Sequence, residues 1–130
     1  EYSDTHAIIV RGPRAALLFL PDHDDWDLTL EMVGGNSIRD WLETMGIDYA
    51  LIDGTFWDIE ELGGRDMTQV PHPTILESLG RLGERREGDP EISFIHLNHT
   101  NPALDRGSEQ FGELSALGWS VGEQGSRIVL

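Results

Sequence analysis

Two short apolar runs on either side of a capped helical stripe restrict the fold of this chain more than any other feature. Tyr49-Ala50-Leu51-Ile52 is a buried-strand run that ends on Asp53. Thr74 with Glu77 makes a capping-box pattern. Ile75, Leu76, Leu79 and Leu82 form the apolar stripe behind it. Ile92 to Leu97 is a second buried strand. Strand, helix and strand in that order predict a mixed α/β fold.

The flanking segments extend that pattern. His6 to Val10 and Ala15 to Leu20 read as strands of a hairpin turning at Arg11-Gly12-Pro13-Arg14. Ala15 to Pro21 carries a buried-strand signal. Trp26 to Val33 fits two periods: Trp26, Leu28, Leu30 and Met32 alternate, whereas Trp26, Leu30 and Val33 fit a helix. Ser37 is an N-cap pattern before Ile38, Trp41, Leu42 and Met45, with Gly46 as the stop. Ser108 caps a helix carrying Phe111, Leu114 and Leu117, and Gly118 ends it. Trp119 to Val121 and Arg127 to Leu130 are expected to close a final hairpin around 122–125.

Composition narrows the function. The 130 residues suit a single unit, with 24 acidic side chains against nine basic ones and a net charge of −15. That sign opposes nucleic-acid and anionic-membrane partners. All nine basic residues are Arg, so Schiff-base and P-loop lysine chemistry are excluded. With no Cys, thiol catalysis, thiolate zinc sites and disulfides are excluded too, and a metal site must use His, Asp and Glu. No apolar stretch approaches the ~20 residues of a membrane helix. The polar opening Glu1-Tyr2-Ser3-Asp4 does not read as a signal peptide, and a cytoplasmic setting is expected. Because the chain opens on Glu rather than Met, processing or a longer parent polypeptide is expected.

Three places gather reactive side chains, and each follows a strand or opens a helix. Asp53 in Ile52-Asp53-Gly54-Thr55-Phe56-Trp57 is a carboxylate at the end of a buried strand. It must be satisfied by metal, hydrogen bonds or solvent, and the bland alternative is a turn Asp bonding its own backbone. His72 in Pro71-His72-Pro73-Thr74 sits on restricted backbone before a helix, as a general acid or base or as a polar loop residue. In His96-Leu97-Asn98-His99-Thr100-Asn101-Pro102, two histidines stand three apart where a strand meets a loop. In an extended chain they face opposite ways, so they share one ion only if the chain turns after His96. His96 is the better ligand candidate, and His99, Asn98 and Asn101 are outer or substrate candidates; a satisfied structural histidine is the rival reading for both His96 and His99, with His99 only holding its loop. Asp22-His23-Asp24-Asp25 reads as an acidic loop without a calcium-loop pattern, with Asp22 kept as a possible outer residue. His6 is expected to be structural, and Glu60-Glu61 and Arg85-Arg86-Glu87 to be solvated faces. Arg65-Asp66 is a surface ion pair by default or a reach toward a substrate anion.

In order, Asp-Gly-Thr-Phe-Trp (53–57), Pro-His-Pro-Thr (71–74) and His-Leu-Asn-His-Thr-Asn-Pro (96–102) resemble the C-terminal half of the metallo-β-lactamase superfamily. Within it, the chain is most similar to the pyrroloquinoline quinone biosynthesis protein B group and its metal-dependent hydrolase relatives. The tRNA 3′-processing endonucleases share a distant version of the three motifs. The resemblance implies that Asp53 bridges two metal ions, that His96 is the last histidine ligand, and that His72 donates a proton to a leaving group. It implies a divalent metal, zinc by preference and iron or manganese otherwise, as two ions in the complete domain. The superfamily's His-x-His-x-Asp-His motif is absent, as is the histidine usually found before the Asp-Gly-Thr segment. The chain therefore resembles half of an αββα sandwich, expected to expose the sheet face that the other half covers. With Asp53 and His96 alone it would hold metal weakly.

Three functions follow. The favoured one is a metal-dependent hydrolase acting on an ester, amide or phosphoester of a small-molecule substrate, completed by an N-terminal half or a partner chain, with a homodimer as one form. The second is an oxidative or accessory protein of quinone-cofactor biosynthesis. The third is a non-catalytic binding module.

Overall fold

The computed structural model describes residues 5–63 and 71–130. The opening 1–4 and the Arg65-Asp66 pair lie outside the described residues. Among the described residues, five strands form one sheet in the order β1-β2-β3-β4-β5. They are β1 (Ile8–Arg11), β2 (Ala16–Leu20), β3 (Tyr49–Asp53), β4 (Glu91–Ile95) and β5 (Ser120–Val121). Only β1 and β2 are antiparallel; β2, β3, β4 and β5 run parallel. The helices are α1 (Trp26–Val33), α2 (Ile38–Thr44), α3 (Ile75–Leu82) and α4 (Glu109–Ala116).

The caps read from sequence form as expected. Ser37 accepts from the Asp40 N–H, Thr74 from Glu77 and Ser108 from Phe111. The ambiguous stretch 26–33 is helical because its ends decide it. Asp25 accepts from the Leu28 N–H at 2.8 Å, and Gly34 turns left-handed at φ +67°. Trp26 is buried at the start of α1, and its indole N–H donates to the buried Ser78 hydroxyl at 2.9 Å, tying α1 to α3.

The core lies on one sheet face. Register aligns Leu18 with Ala50 and Ile92, and Leu20 with Ile52 and Phe94. These six residues are buried with Trp26, Leu30, Trp41, Leu42, Leu79, Leu82 and Leu114 of the helices. The opposite face carries Leu17, Phe19, Tyr49, Leu51, Ser93 and Ile95, all half-buried, beside exposed Ile8 and Val10. β2 is thus fully buried on one face and half-buried on the other, so its unbroken apolar run marks two unequal faces rather than full burial.

Four details differ from the sequence reading. His6 precedes β1 and is exposed, so it is not a strand residue. Leu76 points to solvent and drops out of the α3 stripe. β4 stops at Ile95 because His96 adopts a left-handed backbone, φ +63°. The closing hairpin does not form. β5 pairs in parallel with β4, and residues 127–130 are not a strand. The last residues instead run back along the half-buried face, where Ile128 and Val129 border a groove with Tyr49, Leu51 and Ser93. Leu130 lies so close to Gly12 that a Cβ there would overlap its backbone.

Candidate metal centre

In a parallel sheet the carboxyl ends of the strands lie along one edge, where sites are commonly built. Here that edge gathers Asp22 just past β2, Asp53 at the end of β3 and His96 just past β4. His72 joins them from the loop before α3. One ligand atom from each of Asp22, Asp53, His72 and His96 lies within 4.8 Å of the others. Asp22 and His96 are the two non-glycine residues with positive φ, +53° and +63°, among the described residues. Such backbone costs roughly 1–3 kcal/mol and concentrates at functional sites.

Asp53 is the hub and is 1% exposed. Its Oδ1 accepts from the Thr55 N–H at 2.7 Å and the Thr55 hydroxyl at 2.6 Å. Its Oδ2 accepts from the His23 N–H at 2.7 Å and from His72 Nδ1 at 2.7 Å. Burial alone would raise its pKa, but these donors outweigh it and hold the carboxyl below its ordinary range. The bond from His72 to Asp53 raises the His72 pKa against the effect of burial, with Asp22 and Asp24 adding to it. His72 Nε2 stands 3.7 Å from Asp22. Thr55 Oγ1 also lies 2.9 Å from His96 Nδ1, so one hydroxyl joins the carboxylate to the last histidine.

The turn that carries Asp53 and Thr55 is clamped from behind. The Gly54 N–H donates to Ile95 O at 2.8 Å, and a Cβ on Gly54 would sit 2.8 Å from the Phe94 Cβ. Buried Asn101 donates to Gly54 O at 2.9 Å and accepts from the Ala103 N–H. The Asn98 N–H donates to Thr55 O.

The structure therefore brings Asp53, His72, His96 and Asp22 together. Asn101 stands behind the turn. Asn98 holds the same turn through its backbone, while its side chain joins Thr100 and His99. The chain does turn at His96, yet His99 is exposed and lies outside the four-residue group. Sequence reasoning missed two contributors. Thr55 was only part of a motif. His23 reads in sequence as part of an acidic loop, yet it is buried, packs edge-on against Trp26 at 4.3 Å and gives its N–H to Asp53. Burial lowers its pKa despite nearby Asp53, and its Nε2 pairs with Thr29 Oγ1 at 2.6 Å. The signal was its place just past a strand end, the same rule that singled out Asp53.

The fold is of the metallo-β-lactamase type. The solved structure of "Zn(2+)-bound PqqB from Methylobacterium extorquens" matches 95% of this chain with a TM-score of 0.62 at 22% identity, and the match covers 43% of that chain. By sequence the chain is similar to proteins named coenzyme PQQ synthesis protein B. It is 36% identical to the Ruegeria pomeroyi protein of that name over 90 residues, which is 63% of this chain and 30% of that protein. The Pseudomonas fluorescens protein is 37% identical over 101 residues, 68% of this chain and 32% of that protein. The matched region spans about a third of the length of these curated relatives. No family model matches the chain. Among the described residues, no helix is long and apolar enough to cross a membrane.

Proposed function

We propose that the chain is the C-terminal half of a metallo-β-lactamase-type domain and forms one wall of a divalent-metal centre. Zinc is the first choice, with iron or manganese as alternatives. The observation that carries this reading is the convergence of Asp22, Asp53, His72 and His96 within 4.8 Å. Two imidazoles and two carboxylates suit these borderline cations, so the residues present fit the group. Asp53 and His96 are the ligands of this reading, and Asp22 stands near enough to add a third. A bound divalent cation supplies a water of lowered pKa and positive charge opposite a developing oxyanion. With its Nδ1 proton held by Asp53, His72 gives a proton to a leaving group from Nε2, as an imidazolium that the same bond to Asp53 favours.

The reaction this supports is hydrolysis of an ester, amide or phosphoester in a small molecule; the charge of −15 opposes a nucleic-acid substrate. The remaining ligands come from the N-terminal half or from a partner chain, a second copy included. That element also covers the sheet face bearing Ile8 and Val10. A cytoplasmic setting belongs to the same proposal. A second reading, an oxidative or accessory role in quinone-cofactor biosynthesis, is favoured by the name the relatives share.

Alanine at Asp53 or at His96 in the full-length polypeptide is expected to abolish tight zinc retention, measured as metal per chain after dialysis. Unchanged metal content in both variants overturns the proposal. Ester or phosphoester cleavage without oxygen favours hydrolysis; activity that needs Fe(II) and oxygen, without cleavage, favours the second reading.

A further inference from the structure

The hydrogen bonds around Thr55 admit one arrangement of protons. The Asp53 carboxylate faces two backbone N–H donors, the Thr55 hydroxyl and His72 Nδ1, so it accepts at both oxygens. Thr55 Oγ1 lies 2.6 Å from Asp53 Oδ1, and a hydroxyl has a single proton, so that proton points at the carboxylate. Only lone pairs remain on Oγ1 for His96 Nδ1 at 2.9 Å. His96 must therefore donate from Nδ1. A neutral imidazole with its proton on Nδ1 presents a bare lone pair at Nε2. At 3.4 Å, His72 Nδ1 is a poorer partner for the Thr55 hydroxyl than for Asp53 at 2.7 Å.

We propose that Thr55 is a positioning residue of the metal centre: its hydroxyl links Asp53 to His96, fixes His96 as the Nδ1–H tautomer and commits Nε2 to the cation. This rests on the metal reading above, but the tautomer is a property of the metal-free protein and can be read without any metal. Thr55 is itself held in place. It is buried, and its carbonyl accepts from the Asn98 N–H at 2.9 Å and the Asn101 side chain at 3.3 Å. The hydroxyl therefore has little freedom to seek another partner. Outer hydrogen bonds of this kind typically set ligand orientation and basicity.

The test uses the full-length polypeptide, metal-free and labelled with ¹⁵N, at a pH of about 8, above the ordinary imidazole range. Two-bond ¹H–¹⁵N correlations then show which ring nitrogen carries the proton. His96 is expected as Nδ1–H in the wild type and in Thr55→Ser, and as Nε2–H or a mixture in Thr55→Val. Zinc alone, competed against a chromophoric chelator, should bind Thr55→Val about 10–100-fold more weakly, with Thr55→Ser close to wild type. An Nε2–H form in the wild type overturns the proposal, as does an Nδ1–H form that persists in full in Thr55→Val. Should Thr55→Val fail to fold, the wild-type spectrum still decides the tautomer, and a Thr55→Ser protein that loses zinc affinity overturns the positioning role. A wild type that shows Nδ1–H on His96 but takes up no zinc overturns the metal reading and leaves the proton arrangement standing.

Discussion

Replacing Gly54 with alanine tests whether the packing behind the Asp53 turn is as tight as the structure shows. The new Cβ would stand 2.8 Å from the Phe94 Cβ and 3.3 Å from both the Ile75 Cδ1 and the Ile95 carbonyl oxygen. Carbon atoms in contact prefer about 3.5–4.0 Å, so the turn or β4 must move by roughly 1 Å. Neither neighbour yields easily. Phe94 and Ile75 are fully buried, and the clash with Phe94 is at its Cβ rather than at a flexible tip. Overpacking of this kind costs about 1–3 kcal/mol. The same displacement would carry Thr55 away from His96, now 2.9 Å distant, so zinc affinity should fall as well. Gly80→Ala is the control. Gly80 lies within α3 with nothing within 4 Å of its Cβ position, so alanine there should stabilise by about 0.5–1 kcal/mol. Paired denaturant melts should therefore give opposite signs for one chemical change. Tight packing behind the turn is refuted if the two variants shift in the same direction, or if Gly54→Ala leaves both the midpoint and the zinc affinity unchanged.

Three further outcomes can be measured. Arg39 pairs with Asp89 at 2.9 Å and also donates to the Leu82 and Glu84 carbonyls. Although partial burial works the other way, bonds from Arg39 and from the Arg86 backbone depress the Asp89 pKa. This pair therefore stabilises fully above the ordinary carboxylate pKa of about 3.9 and loses its contribution as pH falls through the lower folded value. Arg39→Met should shrink that acid-range dependence in melts between about pH 5 and pH 2, leaving the share that the Arg86 N–H contributes; an unchanged slope refutes it. Asn101→Ala leaves the Gly54 carbonyl without its 2.9 Å donor and should cost about 1–3 kcal/mol in equilibrium unfolding. Trp26→Phe keeps most of the buried ring but leaves the Ser78 hydroxyl without its indole partner, and a similar loss of about 1–3 kcal/mol is expected.

Local chemistry made the helices legible. Ser37, Thr74 and Ser108 act as caps because each needs only a donor three residues ahead. The strands were visible as apolar runs, and Asp53, His72 and His96 stood out by their place at element ends. What was not visible depends on distant chain segments. Asp22 and His23 looked like an acidic loop until parallel pairing of β2 with β3 set Leu20 beside Ile52 and brought the loop to Asp53. The role of Thr55 needs His96 to return from forty-one residues away. The final hairpin does not form, and glycine spacing alone cannot say whether a returning segment pairs with an edge or crosses a face. Gly122 follows β5 with its N–H on the Phe94 carbonyl, and the chain then leaves along the half-buried face.

The backbone at His96 separates a site built for function from a polar cluster that merely satisfies itself. A histidine at φ +63° is held there by its surroundings, and the left-handed region costs an L-residue roughly 1–2 kcal/mol. Glycine has no such penalty, while in an extended or helical position it is less stable than alanine by about 0.5–1 kcal/mol. The pair His96→Ala and His96→Gly therefore isolates the strain, since both lose the imidazole and its bond to Thr55. Glycine should be the more stable of the two by about 1 kcal/mol, the reverse of the usual order. Both should lose zinc. If alanine is as stable as glycine, the left-handed turn is not strained and the backbone at His96 carries no sign of function. If glycine wins and zinc is lost, the fold holds a destabilising conformation whose visible return is one imidazole aimed at Asp53 and its neighbours. That is the trade expected where a side chain is kept for chemistry rather than for packing.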